Sequence, residues 1–139
     1  MDRKTFNEVV HKVPHLAADG LLVIGEPEYL MKRREFVTNA MYLQETIDAV
    51  HFLQGIGKST RFSEWQRAHC TPEGLKALVE WHVGHEVSNG AIVAAALYLG
   101  FTMGVQDGTK VYFNFLAPQV ETEFAQLRTL EQIRQVARA

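Results

Sequence analysis

The chain has 139 residues, 47% hydrophobic and 22% charged, with fourteen Lys and Arg against sixteen Asp and Glu for a formal charge of −2. One folded domain accounts for that length and can bury a core without cross-links, so collagen-like, wholly disordered and large multidomain chains are excluded. The charge balance also excludes a strongly cationic coat of the kind that holds nucleic acid through phosphate neutralisation alone.

A single cysteine, Cys70, cannot close an internal disulfide, which fits a reducing compartment. No apolar leader core follows Met1-Asp2-Arg3-Lys4, and the longest apolar run, 91–99, is too short to span a bilayer. A cytoplasmic chain without membrane contact is the expectation.

In chain order, Phe6, Val9, Val10 and Val13 recur at helical spacing and predict a helix over 2–13, stopped by Pro14. The apolar run 21–24 between Gly20 and Gly25 predicts a short strand or buried turn. A helix over 28–36 carries Lys32-Arg33-Arg34. The next begins at Thr38 or Asn39 with a stripe of Leu43, Ile47 and Val50, and ends at Gly55 and Gly57. Whether these two helices are continuous is open at this level.

After a mixed segment over 58–70, Thr71-Pro72-Glu73 is a helix start: a cap, a first-position proline and an acid at the positive end of the dipole. Its apolar residues are Leu75, Leu78, Val79 and Val83, and Gly84 ends it. Ser88 or Asn89 caps a further helix running to Leu99, with Gly100 behind it. Strands are predicted over 101–105 and 110–115, with the hairpin signal Asp107-Gly108 between them. Pro118 opens a last helix over 119–138, with the stripe Val120, Phe124, Leu127, Leu130, Ile133 and Val136. The organisation is thus one α+β domain over 1–139: an N-terminal helical and extended segment (1–38), a core (39–116) and a C-terminal helix (117–139).

From 39 to 116 the order is helix, extended piece, helix, turn, helix, strand, turn, strand. Together with the junction Ala96-Leu97-Tyr98-Leu99-Gly100-Phe101, this resembles the winged-helix domain of bacterial regulators. The resemblance implies a three-helix core, a β-hairpin wing and binding of double-stranded DNA. In addition, Glu73-Gly74-Leu75-Lys76, the stretch 87–96 and Leu99-Gly100-Phe101 resemble small accessory proteins of phages and mobile elements.

On the DNA reading, Ser88 and Asn89 open the recognition helix, where base edges and phosphate are met. Lys110, with Thr109, sits at the wing tip, and Arg61, with Lys58 and Arg67, adds phosphate contacts. The Lys32, Arg33 and Arg34 cluster is a further phosphate contact or a solvated face. Against this, the helix over 90–99 carries no Arg, Lys or Gln and is apolar on every side, as buried helices are. Between 39 and 116 the acids (Glu45, Asp48, Glu64, Glu73, Glu80, Glu86, Asp107) also outnumber the bases (Lys58, Arg61, Arg67, Lys76, Lys110). The competing expectation is an inhibitor or adaptor that binds a host protein through an apolar helical surface, with a homodimer through the C-terminal helix compatible with either.

No catalytic, cofactor or metal site is assigned, and a non-enzymatic protein is expected. The string Gly55-Ile56-Gly57-Lys58-Ser59-Thr60 lacks the earlier glycine of a phosphate-binding loop, whose place is held by Phe52. His82 and His85, with Cys70 or His69, have zinc-like spacing, but Gly84 interrupts their helix. Trp65 and Trp81 read as core or core-edge packing.

Overall fold

Side-chain caps set most of the helix starts in the computed structural model, which describes residues 1–23, 27–60, 70–107 and 110–138. Helix α1 (Arg3–His11) begins where Asp2 accepts from the Thr5 N–H at 2.8 Å. Helices α2 (Tyr29–Thr38) and α3 (Ala40–Leu53) are separate, because Asn39 is extended (φ −75°, ψ 121°). That residue closes α2 and caps α3, its side chain accepting from the Met41 N–H at 2.9 Å.

Helix α4 (Pro72–Val83) starts on the Thr71 cap and stops at Gly84 in the left-handed region, φ 84°. Helix α5 (Asn89–Tyr98) starts on Ser88, whose hydroxyl accepts from the Ala91 N–H at 3.2 Å. It ends at Gly100, φ 83°, where the Phe101 N–H turns back to the Ala96 carbonyl at 3.0 Å. Helix α6 (Ala117–Arg138) is the longest of those described.

Strands β1 (Leu16–Ala17) and β2 (Gly20–Leu21) form one antiparallel hairpin. Strands β3 (Met103–Asp107) and β4 (Lys110–Phe113) form another, with Met103 opposite Phe113 and an irregularity between Val105 and Asp107. Lys58 bridges Phe115 in antiparallel sense beyond β4. Buried Asn114 joins these pieces: its carbonyl accepts from Ser59 N–H at 2.8 Å, and its side-chain oxygen accepts from Thr102 N–H at 2.7 Å. Among the described residues the fold is therefore α+β, six helices and two small antiparallel sheets.

The core is built around α5. Gly90, Ala91, Ile92, Val93, Ala94, Ala95 and Ala96 are all buried. Helices α3 and α4 pack on it, and α1 and β2 close it from the N-terminal segment. Small side chains permit this approach: the Gly90 N–H donates to the Ala18 carbonyl at 2.9 Å, and a Cβ at Gly90 would stand 2.0 Å from the Ala17 oxygen.

Three predicted features shift. The strand over 21–24 begins at Gly20 and pairs with Leu16–Ala17, which lack a strand-like sequence run; Ile24 lies outside the described residues. The buried stripe of α3 is Glu45, Thr46, Ala49, Val50 and Leu53, with Leu43 and Ile47 only half-buried. The helix is rotated because the Glu45 carboxylate turns inward to a backbone N–H of the α4–α5 turn. Strand β3 starts at Met103 because Phe101 is a core plug, edge-on to Phe115 at 4.8 Å between ring centroids. Of the Asp107-Gly108 turn, Gly108 lies outside the described residues, as does most of 58–70.

Gly90→Ala should destabilise the fold by about 3 kcal/mol, the upper part of the range for overpacking against backbone. Gly84→Ala, in open space with only its φ of 84° to strain it, should cost about 1 kcal/mol. Urea unfolding of both variants measures the difference.

Candidate functional site

The start of α5 is engaged within the chain. Glu45 Oε1 accepts from the Ser88 N–H at 2.6 Å and Glu80 Oε2 accepts from the Val87 N–H at 3.1 Å. The Ser88 hydroxyl caps its own helix, and the Gly90 N–H is held by the β1–β2 hairpin. Two carboxylates thus lie just ahead of this helix end, where their charge repels a polyanion, while the Gly90 and Ala91 N–H groups that a phosphate would need are taken by the Ala18 carbonyl and the Ser88 hydroxyl. The Asn89 side-chain oxygen is buried without a hydrogen-bond partner. These positions, expected at base edges, belong to a core helix whose next seven residues are out of solvent.

The basic cluster on α2 is also divided. Lys32 Nζ lies 3.4 Å from Glu28 and 3.5 Å from Asp19, and these two contacts raise its pKa above the ordinary lysine value. Arg33 turns inward: its guanidinium donates to the carbonyls of Val10, Val13 and Leu16 at 2.9, 3.0 and 2.8 Å. Desolvation by burial lowers its pKa from the usual guanidinium value. Arg34 is exposed. Arg33 thus ties α2 to the end of α1 and to β1. Lys110 is exposed at the start of β4, and Lys58 lies over the Phe101 ring, 5.4 Å from its centroid. Arg61, Arg67, Trp65, His69 and Thr109 lie outside the described residues.

The segment 55–59 is clasped by the start of α6. Gln119 accepts from Gly57 N–H and donates to the Gly55 carbonyl, both at 2.7 Å, and the Leu116 N–H donates to the Gly57 carbonyl at 2.8 Å. That is a helix stop pinned to a neighbouring element.

A cleft of about 580 Å³ opens between α3, α4 and α6, lined by Asp48, His51, Phe52, His82, His85 and Glu123 among others. His85 Nε2 lies 2.7 Å from Asp48 Oδ2, and His82 Nε2 lies 3.5 Å from Glu123 Oε2. The His82 ring stacks on Phe52, centroids 4.5 Å apart. The carbonyl of Glu86, then the Asp48 carboxylate, raise the His85 pKa above the ordinary imidazole value. No three His, Cys, Asp or Glu side chains among the described residues converge on a point that would hold a metal. Cys70 is buried, with its Sγ 3.6 Å from the Phe115 carbonyl oxygen. Sequence reasoning found His82 and His85 but missed Asp48, His51 and Glu123. The available signal was the repeated three-residue spacing of Asp48 with His51 and of His82 with His85.

Helix α6 presents part of its predicted stripe to the body and part to solvent. Val120 and Leu127 are buried and Phe124 is half-buried, while the Arg134 guanidinium covers the Trp81 ring at 4.2 Å. Leu130, Ile133 and Val136 of the same predicted stripe stand 46, 58 and 76% exposed. No helix among the described residues is long and apolar enough to cross a membrane. The chain matches no protein-family model, no curated protein and no solved structure.

Arg33→Ala should lower stability by about 3 kcal/mol, since it strips a charged donor from buried carbonyls. Arg34→Ala should change it by less than about 0.5 kcal/mol. Equal effects of the two substitutions in urea unfolding would contradict this division of the cluster.

Proposed function

We propose that this protein is a small, non-enzymatic accessory protein that acts by binding another protein through the distal half of α6. The observation that carries this reading is the exposure of Leu130, Ile133 and Val136 on a helix held to the body by Val120, Leu127 and Arg134. Spaced three apart, they lie near one another on the helix surface, and an exposed apolar helix face suits a partner's groove or a second helix. A second copy of the chain is one such partner.

A winged-helix-like core fits the same reading. The order α3, bridged Lys58, α4, α5 and the β3–β4 hairpin, with Phe115 carrying the bridge, supports it. DNA binding remains the second reading, favoured by that order and by exposed Lys110 on the hairpin. The weight falls on protein binding because the helix that would read a groove is Gly- and Ala-rich, preceded by a turn held by two carboxylates and covered at its start by the β1–β2 hairpin.

The test is a Leu130→Asp, Ile133→Asp double variant. It should lose a nuclease-resistant complex that the wild-type chain retains from host lysate, or its own dimer in light scattering, while its thermal midpoint stays within about 2 °C of wild type. Salt-dependent retardation of duplex DNA that Lys110→Ala abolishes and the α6 variant leaves intact would move the assignment to DNA.

A further inference from the structure

The turn between α4 and α5 is tied to α3 by two carboxylates. Glu45 holds the Ser88 N–H, and Asp48 Oδ2 lies 2.7 Å from His85 Nε2. The other ring nitrogen of His85, Nδ1, lies 2.8 Å from the Glu86 carbonyl oxygen. A carbonyl and an ionised carboxylate only accept. Both contacts are hydrogen bonds only if both ring nitrogens donate, and the imidazolium alone has two N–H groups. A neutral ring aims a lone pair at one of the two oxygens from under 3 Å. Flipping the ring does not relieve this, because it brings ring carbons to the two positions.

We propose that His85 is a pH-sensitive latch: its imidazolium holds the Glu86 carbonyl of the α4–α5 turn and Asp48 of α3 at once, and loss of its proton breaks one of the two contacts and loosens the turn beside the cleft. This inference is independent of the α6 reading.

The surroundings favour the charged form. From α3, Asp48 and Glu45 face the ring's side of the turn, with His51 across the cleft. From α4 come Lys76, Glu80 and His82; Glu86 adjoins it in the turn; α6 presents Glu123 and Glu131. Carboxylates outnumber cations in this set, and opposite charge stabilises an imidazolium. Because the His85 pKa is raised in the fold, its contribution to stability is complete below the unfolded value of about 6.5 and is lost as pH rises through the folded value. The His85 side chain is 44% exposed and that of Asp48 is 23% exposed, so salt weakens the tie.

Histidine-selective NMR on the full chain across about pH 5 to 9 tests the latch, with His85 assigned through bonds. The expected result is a His85 midpoint above that of free imidazole, with the amide signals of Val87 and Ser88 moving at the same midpoint. Asp48→Asn should shift that midpoint downward. His85→Gln should flatten the fall in thermal stability as pH rises above about 6.5. A His85 midpoint at or below the free-imidazole value, or turn amides indifferent to it, overturns the proposal. So does a wild-type pH profile surviving in a folded His85→Gln variant.

Discussion

Gly90 lets the Ala17 carbonyl approach the backbone of α5 to a distance that a side chain would forbid. With that contact made, the β1–β2 hairpin seats on the first turn of α5, and the Gly90 N–H, one of the donors that a helix start leaves over, finds the Ala18 carbonyl. The remaining sides of α5 are taken by α1, α3 and α4. An alanine-rich helix buries little area per residue. Its value to the core lies in how closely neighbours approach, while Ile92 and Val93 each contribute about 1.5–3 kcal/mol of apolar burial. The N-terminal segment thus completes the core that the later helices begin.

The same tight packing dictates where the polar groups go. With α5 enclosed, the N–H groups ahead of it cannot reach water freely, and buried donors need partners. Glu45 and Glu80 meet that need from α3 and α4. Arg33 meets the converse need, offering N–H groups to carbonyls at the end of α1 and in the segment after it. Each of these charged residues sits where a sequence pattern would put a surface group. Each instead neutralises backbone polarity that close packing has stranded, and this is why α3 rotates off its most hydrophobic stripe.

What the sequence made legible follows from local chemistry. Thr71-Pro72-Glu73 and Gly84 bracket α4 as read, Ser88 and Gly100 bracket α5, and Asn39 caps α3, since a cap or a left-handed glycine acts within a few residues. The all-round apolarity of 90–99 signalled the burial of 90–96, while Tyr98 beyond them is exposed. Long-range choices were not legible. Nothing in Leu16-Ala17 announces a strand, because its pairing depends on a turn at Ala18-Asp19 and on the seat that Gly90 provides. Nor does Lys32-Arg33-Arg34 reveal that its middle member faces inward, which depends on where the end of α1 lies. The Asp48–His85 contact joins residues 37 apart and is invisible to any spacing rule.

These constraints also decide which surfaces are open to function. A helix-turn-helix reads DNA by leaving its second helix proud of the body, with donors at its start and polar side chains along one face. In this chain α5 gives its first donors to the Ala18 carbonyl and the Ser88 hydroxyl, and residues 90–96 to packing. Among the described residues, two features stand outside that packing: the apolar residues Leu130, Ile133 and Val136 exposed on α6, and the cleft between α3, α4 and α6, where imidazoles and carboxylates meet. Glu123 places α6 at the cleft wall, and Arg134 lays the same helix on Trp81 of α4. A change in the α4–α5 turn therefore acts next to the ground on which α6 is seated, and the two surfaces are mechanically adjacent whether or not they serve one partner.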